Sequence, residues 1–128
     1  MLLILTDIIT ENNITFVSGN THIGSIKGIW KSSVTPVIMQ HYNIEIDFGV
    51  IDRNSIIINK EATDVNSEII DDRVVFTGLC EDIDEIYYIR FSFDGLEMLD
   101  IKNDDFTIRK GDFITFSIQF SEIGIYPY

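Results

Sequence analysis

Hydrophobic and polar side chains alternate with a period of two along most of the chain. Tyr42, Ile44, Ile46 and Phe48 fall on one side and Asn43, Glu45 and Asp47 on the other, the pattern of a half-buried antiparallel strand that Gly49 ends. Tyr87, Ile89, Phe91 and Phe93 repeat it against Tyr88, Arg90, Ser92 and Asp94, and Asp94-Gly95 supplies a hairpin turn signal. The cleanest alternation sets Ile114, Phe116, Ile118 and Phe120 against Thr115, Ser117 and Gln119, launched by the turn Arg109-Lys110-Gly111-Asp112. Shorter apolar runs over residues 14–17, 23–30, 34–39, 56–58, 74–79, 96–101 and 123–126 are of strand length and bounded by turn residues, and residues 1–5 read as the first strand. Residues 64–72, acidic and rich in Asn and Ser, read as a surface loop more than as one helical turn.

Turn signals recurring about every 8–12 residues, with no stretch for a crossover helix, predict a single all-β domain over residues 1–128. The expected architecture is an antiparallel β-barrel or β-sandwich of about eight to ten short strands with little or no helix. Composition agrees: 25 isoleucines, nine phenylalanines and five tyrosines stand against one alanine, Ala62, a balance that suits pleated sheets and not helices. With 45% apolar and 23% charged residues the chain is globular, not disordered. The apolar tail over residues 113–128 reads as a docked strand that closes the barrel, with an aromatic contact patch as the other reading. Residues 42–49 and 87–95 share a Tyr-x-Ile-x-apolar-x-Phe pattern, a faint echo that two related half-barrels would explain. The last strand, launched by Gly111-Asp112, resembles small barrels of the oligonucleotide/oligosaccharide-binding kind; the resemblance is confined to that strand and transfers no site.

Charge narrows the choice of partner. The formal net charge is -12, with 21 acids and nine bases. Residues 1–64 carry -3 and residues 65–128 carry -9, most of the excess lying between residues 68 and 105. Glu68, Asp71 and Asp72, then Glu81, Asp82, Asp84 and Glu85, then Asp104 and Asp105 fall in segments read as connections between strands, whereas Glu45 and Asp47 read as acids that solvate a sheet face. Such a surface opposes direct nucleic-acid binding, which needs Lys and Arg for the phosphates, and docking to anionic lipid. No apolar run approaches the length of a membrane-spanning helix, and residues 1–5 lack the basic flank of a signal peptide. The single cysteine, Cys80, excludes an internal disulfide, so a cytoplasmic setting is expected and the glycosylation pattern at Asn13-Ile14-Thr15 carries no weight.

Signals for chemistry are sparse. The run Glu81-Asp82-Ile83-Asp84-Glu85 and the run Asn103-Asp104-Asp105 lack the spacing and glycine of a calcium loop, and His22, His41 and Cys80 lack paired zinc spacings. No glycine-rich phosphate loop or nucleophile elbow occurs, and His22 and His41 stand alone at a turn and a strand end. The expectation is therefore a protein without catalytic residues, metal or cofactor: an acidic protein-binding module. Its concrete form is a bacterial immunity protein or toxin inhibitor that occludes the cationic cleft of a basic toxin or nuclease. The carboxylates of Asp71, Asp72, Glu81, Asp82, Asp84, Glu85, Asp104 and Asp105 would mimic phosphates toward the partner's Arg and Lys, provided the loops gather them. A second reading is a small-ligand or carbohydrate-binding barrel, with or without weak enzymatic activity, whose mouth holds Trp30, Tyr87 or Tyr88 with His41. A third is a structural subunit of an assembly.

Overall fold

The alternation resolves into paired strands in the computed structural model, which describes residues 1–92 and 95–128. Phe93 and Asp94, hence half of the Asp94-Gly95 turn, lie outside the described residues. In chain order the strands are β1 (Leu2–Glu11), β2 (Ile14–Thr21), β3 (Gly24–Trp30), β4 (His41–Asp47), β5 (Val50–Asp52), β6 (Ile56–Ile58), β7 (Asn66–Ile70), β8 (Arg73–Ile83), β9 (Tyr87–Ser92), β10 (Gly95–Lys102), β11 (Phe113–Gln119) and β12 (Gly124–Pro127). Helical geometry among the described residues is limited to 3-10 turns at Arg53–Ser55 and Phe120–Glu122. The all-β prediction holds, although the strands exceed the expected number because some are only three residues long.

Pairing arranges these strands in two rings. In the first, β1, β2 and β3 form an antiparallel meander, β4 pairs antiparallel with β1, and β12 closes the gap, antiparallel to β4 and parallel to β3. In the second, β8, β9 and β10 form the meander and β11 pairs antiparallel with β8. Closure comes from β5, parallel to β10, and β6, antiparallel to β11, which act as one strand split by the Arg53–Ser55 turn. Each ring thus has five strand positions, four from one half of the chain and the closing one from the other. β7 pairs with β8 and meets β3 through Gly24 and Ser67, joining the rings.

The equivalence reaches single residues. A bulge interrupts β1–β2 between Leu5 and Asp7, and another interrupts β8–β9 between Cys80 and Asp82. Aligning these bulges makes β4 the counterpart of β11, so Tyr42, Ile44, Ile46 and Phe48 correspond to Ile114, Phe116, Ile118 and Phe120. The duplication hinted at in the sequence is thus present in the topology, but the echo paired the wrong strands: residues 87–92 form β9, the counterpart of β2. The closing strands are also exchanged. The β5–β6 strand follows β4 of the first ring yet completes the second, while β12 follows β11 of the second and completes the first. The apolar tail is a closing strand, as expected.

Side chains from both rings form one continuous core. Leu3, Leu5, Val17, Ile26, Trp30, Ile44 and Ile125 are buried from the first; Phe76, Cys80, Ile89, Phe91, Leu99, Ile114 and Phe116 from the second. Phe48, carried across by the β4–β5 connection, sits among Phe76, Phe91 and Phe116 with ring centroids at 5.0, 5.8 and 5.5 Å. The second ring closes around these aromatics because Gly78 faces them: a Cβ there would meet Ile89 Cγ2 at 2.4 Å and Phe91 Cε1 at 2.6 Å.

Two expectations fail for identifiable reasons. Residues 34–39 are not a strand; Pro36 has no amide hydrogen, and the segment instead wraps the end of the first ring. There Val34 O accepts from Trp30 Nε1 at 2.7 Å and the Val37 amide donates to Tyr42 Oη at 3.0 Å. Residues 64–72 are not a loop throughout, since β7 pairs in register with β8 while the Ser67 amide donates to Ile23 O and the Ile69 amide to Ser25 Oγ.

Candidate functional site

The acids singled out by sequence do not form one patch. Asp71 and Asp72 make the tight turn between β7 and β8, Asp71 with a left-handed φ of 53°, and Glu68 is on β7 itself. Glu81 and Asp82 are not in a connection: they end β8, and Asp84 and Glu85 follow in the turn to β9. At the rise of a strand, these two groups are separated by about 30 Å along β8. Asp104 and Asp105, in the loop after β10, do share an end with residues 81–85, because Tyr87 at the start of β9 donates its hydroxyl to Asp104 at 2.5 Å.

Several of these carboxylates are already engaged. Glu81 pairs with Arg90 at 3.1 Å, and Asp105 with Arg53 at 3.0 Å. Asp105 also accepts from the Thr107 hydroxyl and amide, and these bonds hold its carboxyl below the usual range. Asp52, bonded to the Asn54 amide and to Asn103, is lowered in the same way. Asp82 accepts from the Ile83 amide, leaving Asp84 and Glu85 as the exposed tip. Arg53 and Arg90, paired with these acids, and Lys102 at the end of β10 make this end charged but mixed.

The remaining candidates are dispersed. Trp30 is buried against Tyr42, ring centroids 5.0 Å apart, in the first ring; Tyr87 is buried and Tyr88 half-buried in the second, and His41 is exposed at the start of β4. They do not meet at one mouth. His22 occupies the β2–β3 turn with Nε2 3.1 Å from Phe91 O. It lines a pocket of about 350 Å³ with Asp64, Arg90, Ile23, Val65 and Phe113. Cys80 is fully buried, and burial pushes its thiol up to about 11. Among the described residues, no three His, Cys, Asp or Glu side chains group as metal ligands, and no helix is long and apolar enough to cross a membrane.

A different set converges where the rings meet. A cleft of about 540 Å³ runs between β4–β12 and β10, lined by Val50, Ile86, Leu96, Met98 and Tyr126 and rimmed by Glu45, Asp47, Glu97 and Asp100. The apolar lining is open to solvent: Met98 is 61% exposed, Val50 56% and Leu96 40%. Glu97 points the other way from Leu96 and Met98, accepting at 3.4 Å from the Ile46 amide on the opposite wall. Burial pushes its carboxyl above the usual range, against the bond from Ile46. Sequence reading assigned Glu45 and Asp47 to solvation and passed over Asp100. A signal was present in residues 96–99, where Leu-Glu-Met-Leu puts an acid on the core side and two large apolar residues outside.

No protein-family model, no curated protein and no solved structure matches the chain.

Proposed function

We propose that this protein is a binding module for a cationic protein partner, engaged at the ring-junction cleft. The observation that carries the reading is the combination in that cleft of exposed apolar lining with Glu45, Asp47 and Asp100 around it. Apolar surface of this kind provides contact area, and the carboxylates set its sign: they favour Lys and Arg and repel anionic partners. The overall charge of -12 adds long-range steering of the same sign. The concrete form is an immunity protein or inhibitor that occludes the cationic cleft of a toxin or nuclease. The acids at the 81–85 and 104–105 end contribute to the field, with the cleft as the contact. The test is titration with an oligo-arginine peptide. Affinity should fall steeply between about 50 and 500 mM salt and disappear in Glu45→Lys/Asp47→Lys/Asp100→Lys; binding indifferent to both salt and these charges sinks the reading.

The pocket lined by His22, Asp64 and Arg90 favours a second reading, a small-ligand site. Its polar groups converge over apolar Ile23, Val65 and Phe113, and its size suits a small molecule. A fragment screen by NMR that gives no shifts at His22 or Val65 would remove it.

A further inference from the structure

The duplication supplies the ring-junction cleft with an internal counterpart that is filled. β3 and β10 occupy equivalent places, so Lys27 corresponds to Met98. Phe16, paired with Ile29, corresponds to Ile86, which lies one step beyond the Leu99–Tyr87 pair. In the first ring the chain covers this surface itself. The Phe120 ring stands edge-on to Phe16 at a centroid distance of 5.5 Å, and Lys27 Nζ lies 4.1 Å from its centre. Phe120 reaches that position because residues 120–123, with their 3-10 turn, link β11 to β12. The corresponding link from β4 to β5 is only Phe48-Gly49, with Gly49 at φ 65°. There Phe48, the counterpart of Phe120, turns into the core at 2% exposure. Phe48 therefore does not cover Met98 and Ile86 as Phe120 covers their counterparts, and among the described residues the aromatic that lines the cleft is Tyr126, itself 41% exposed.

We propose that the cleft receives an extended segment of a basic protein whose aromatic side chain packs on Met98 and Ile86, with flanking Lys or Arg meeting Glu45, Asp47 and Asp100. This rests on the cationic-partner reading and adds the anchor. The Phe120 contact is the argument for the anchor: in the filled counterpart an aromatic ring packs on Phe16 and under Lys27, so this surface takes an aromatic, while Glu45, Asp47 and Asp100 at the cleft are the complement for flanking cations. A second copy of this chain is a poor occupant, because two surfaces from chains of charge -12 repel.

The experiment is selection of short randomised peptides on the intact protein, with recovered peptides measured against wild type, Met98→Asp and Met98→Leu. Recovered sequences should carry Phe, Tyr or Trp beside Lys or Arg. Replacing the aromatic by Ala should weaken binding roughly ten- to a hundredfold, the weight of one buried aromatic side chain. Met98→Asp should do the same and Met98→Leu should restore it, with circular dichroism verifying that both fold. Basic peptides that bind with no aromatic requirement overturn the anchor and leave the cationic-partner reading standing. Aromatic peptides indifferent to Met98→Asp also overturn it, and failure to recover basic peptides overturns both.

Discussion

Gly78 and Cys80 illustrate how little room the second ring has. Both face inward from β8, where a larger side chain at 78 would collide with Ile89 and Phe91. Gly78→Ala should cost about 1–3 kcal/mol, the usual range for overpacking a filled core, read as a drop in denaturant midpoint at unchanged slope. Cys80 is silent at neutral pH, since a fully buried thiol raised from 9.0 to about 11 has almost no thiolate. The sign of its contribution follows: with the folded value above the unfolded one, the stability is fully present below about pH 9 and is lost as pH rises toward 11. Denaturation across that window should show a steeper loss for wild type than for Cys80→Ala. Tyr87, also raised by burial and by its bond to Asp104, adds a loss of the same sign beginning near pH 10. Inward residues such as Ile44, Ile89 and Phe116 were legible because alternation alone assigns a face. For Glu97 the alternation over residues 96–99 gave the face but not the partner, since the Ile46 amide it meets lies on another strand.

Among elements, the strands with a polar outer face were readable and those defined by a partner's edge were not. β11 and β4 announce themselves by period two, whereas β7 has Asn66, Ser67 and Glu68 and becomes a strand only because β8 offers a free ladder. Residues 34–39 err the opposite way: their apolar side chains suggest burial, but Val34, Val37, Ile38 and Met39 are exposed in a loop anchored by Trp30 and Tyr42. The β1–β2 hairpin depends on Asn12 and Asn13, left-handed at φ 51° and 65°, a two-residue turn that matches the strand twist. Asn13→Val should destabilise the protein by about 1–2 kcal/mol through left-handed backbone strain, while Asn13→Gly should be neutral or stabilising in thermal melts.

For the whole molecule, exchange of the closing strands ties the rings into one cooperative unit. Neither ring can open without withdrawing a strand from the other, and Phe48 lies in the shared core. Thermal unfolding should therefore be a single transition by both far-UV and near-UV circular dichroism, despite the two-part architecture. Noncoincident curves, with one ring melting first, would contradict this. Total charge was readable from composition, but its layout was not, because strand order decides which loops are neighbours. The separation of Asp71 and Asp72 from Glu81 to Glu85 follows from the length of β8, and the cleft acids meet only because β4 and β10 belong to different rings placed side by side.

The exchanged strands also say what half of this chain would do alone. A polypeptide ending after β6 would lack β12, leaving the gap between β3 and β4 open, while its β5–β6 strand would have no second ring to complete. Two such polypeptides would be able to close each other's ring by trading these strands across a two-fold axis. The present chain holds the same exchange within one polypeptide, with β7 joining the rings. Within one polypeptide the two junctions are free to differ, and they do: Phe120 packs on Phe16 at one, while Met98 is 61% exposed at the other.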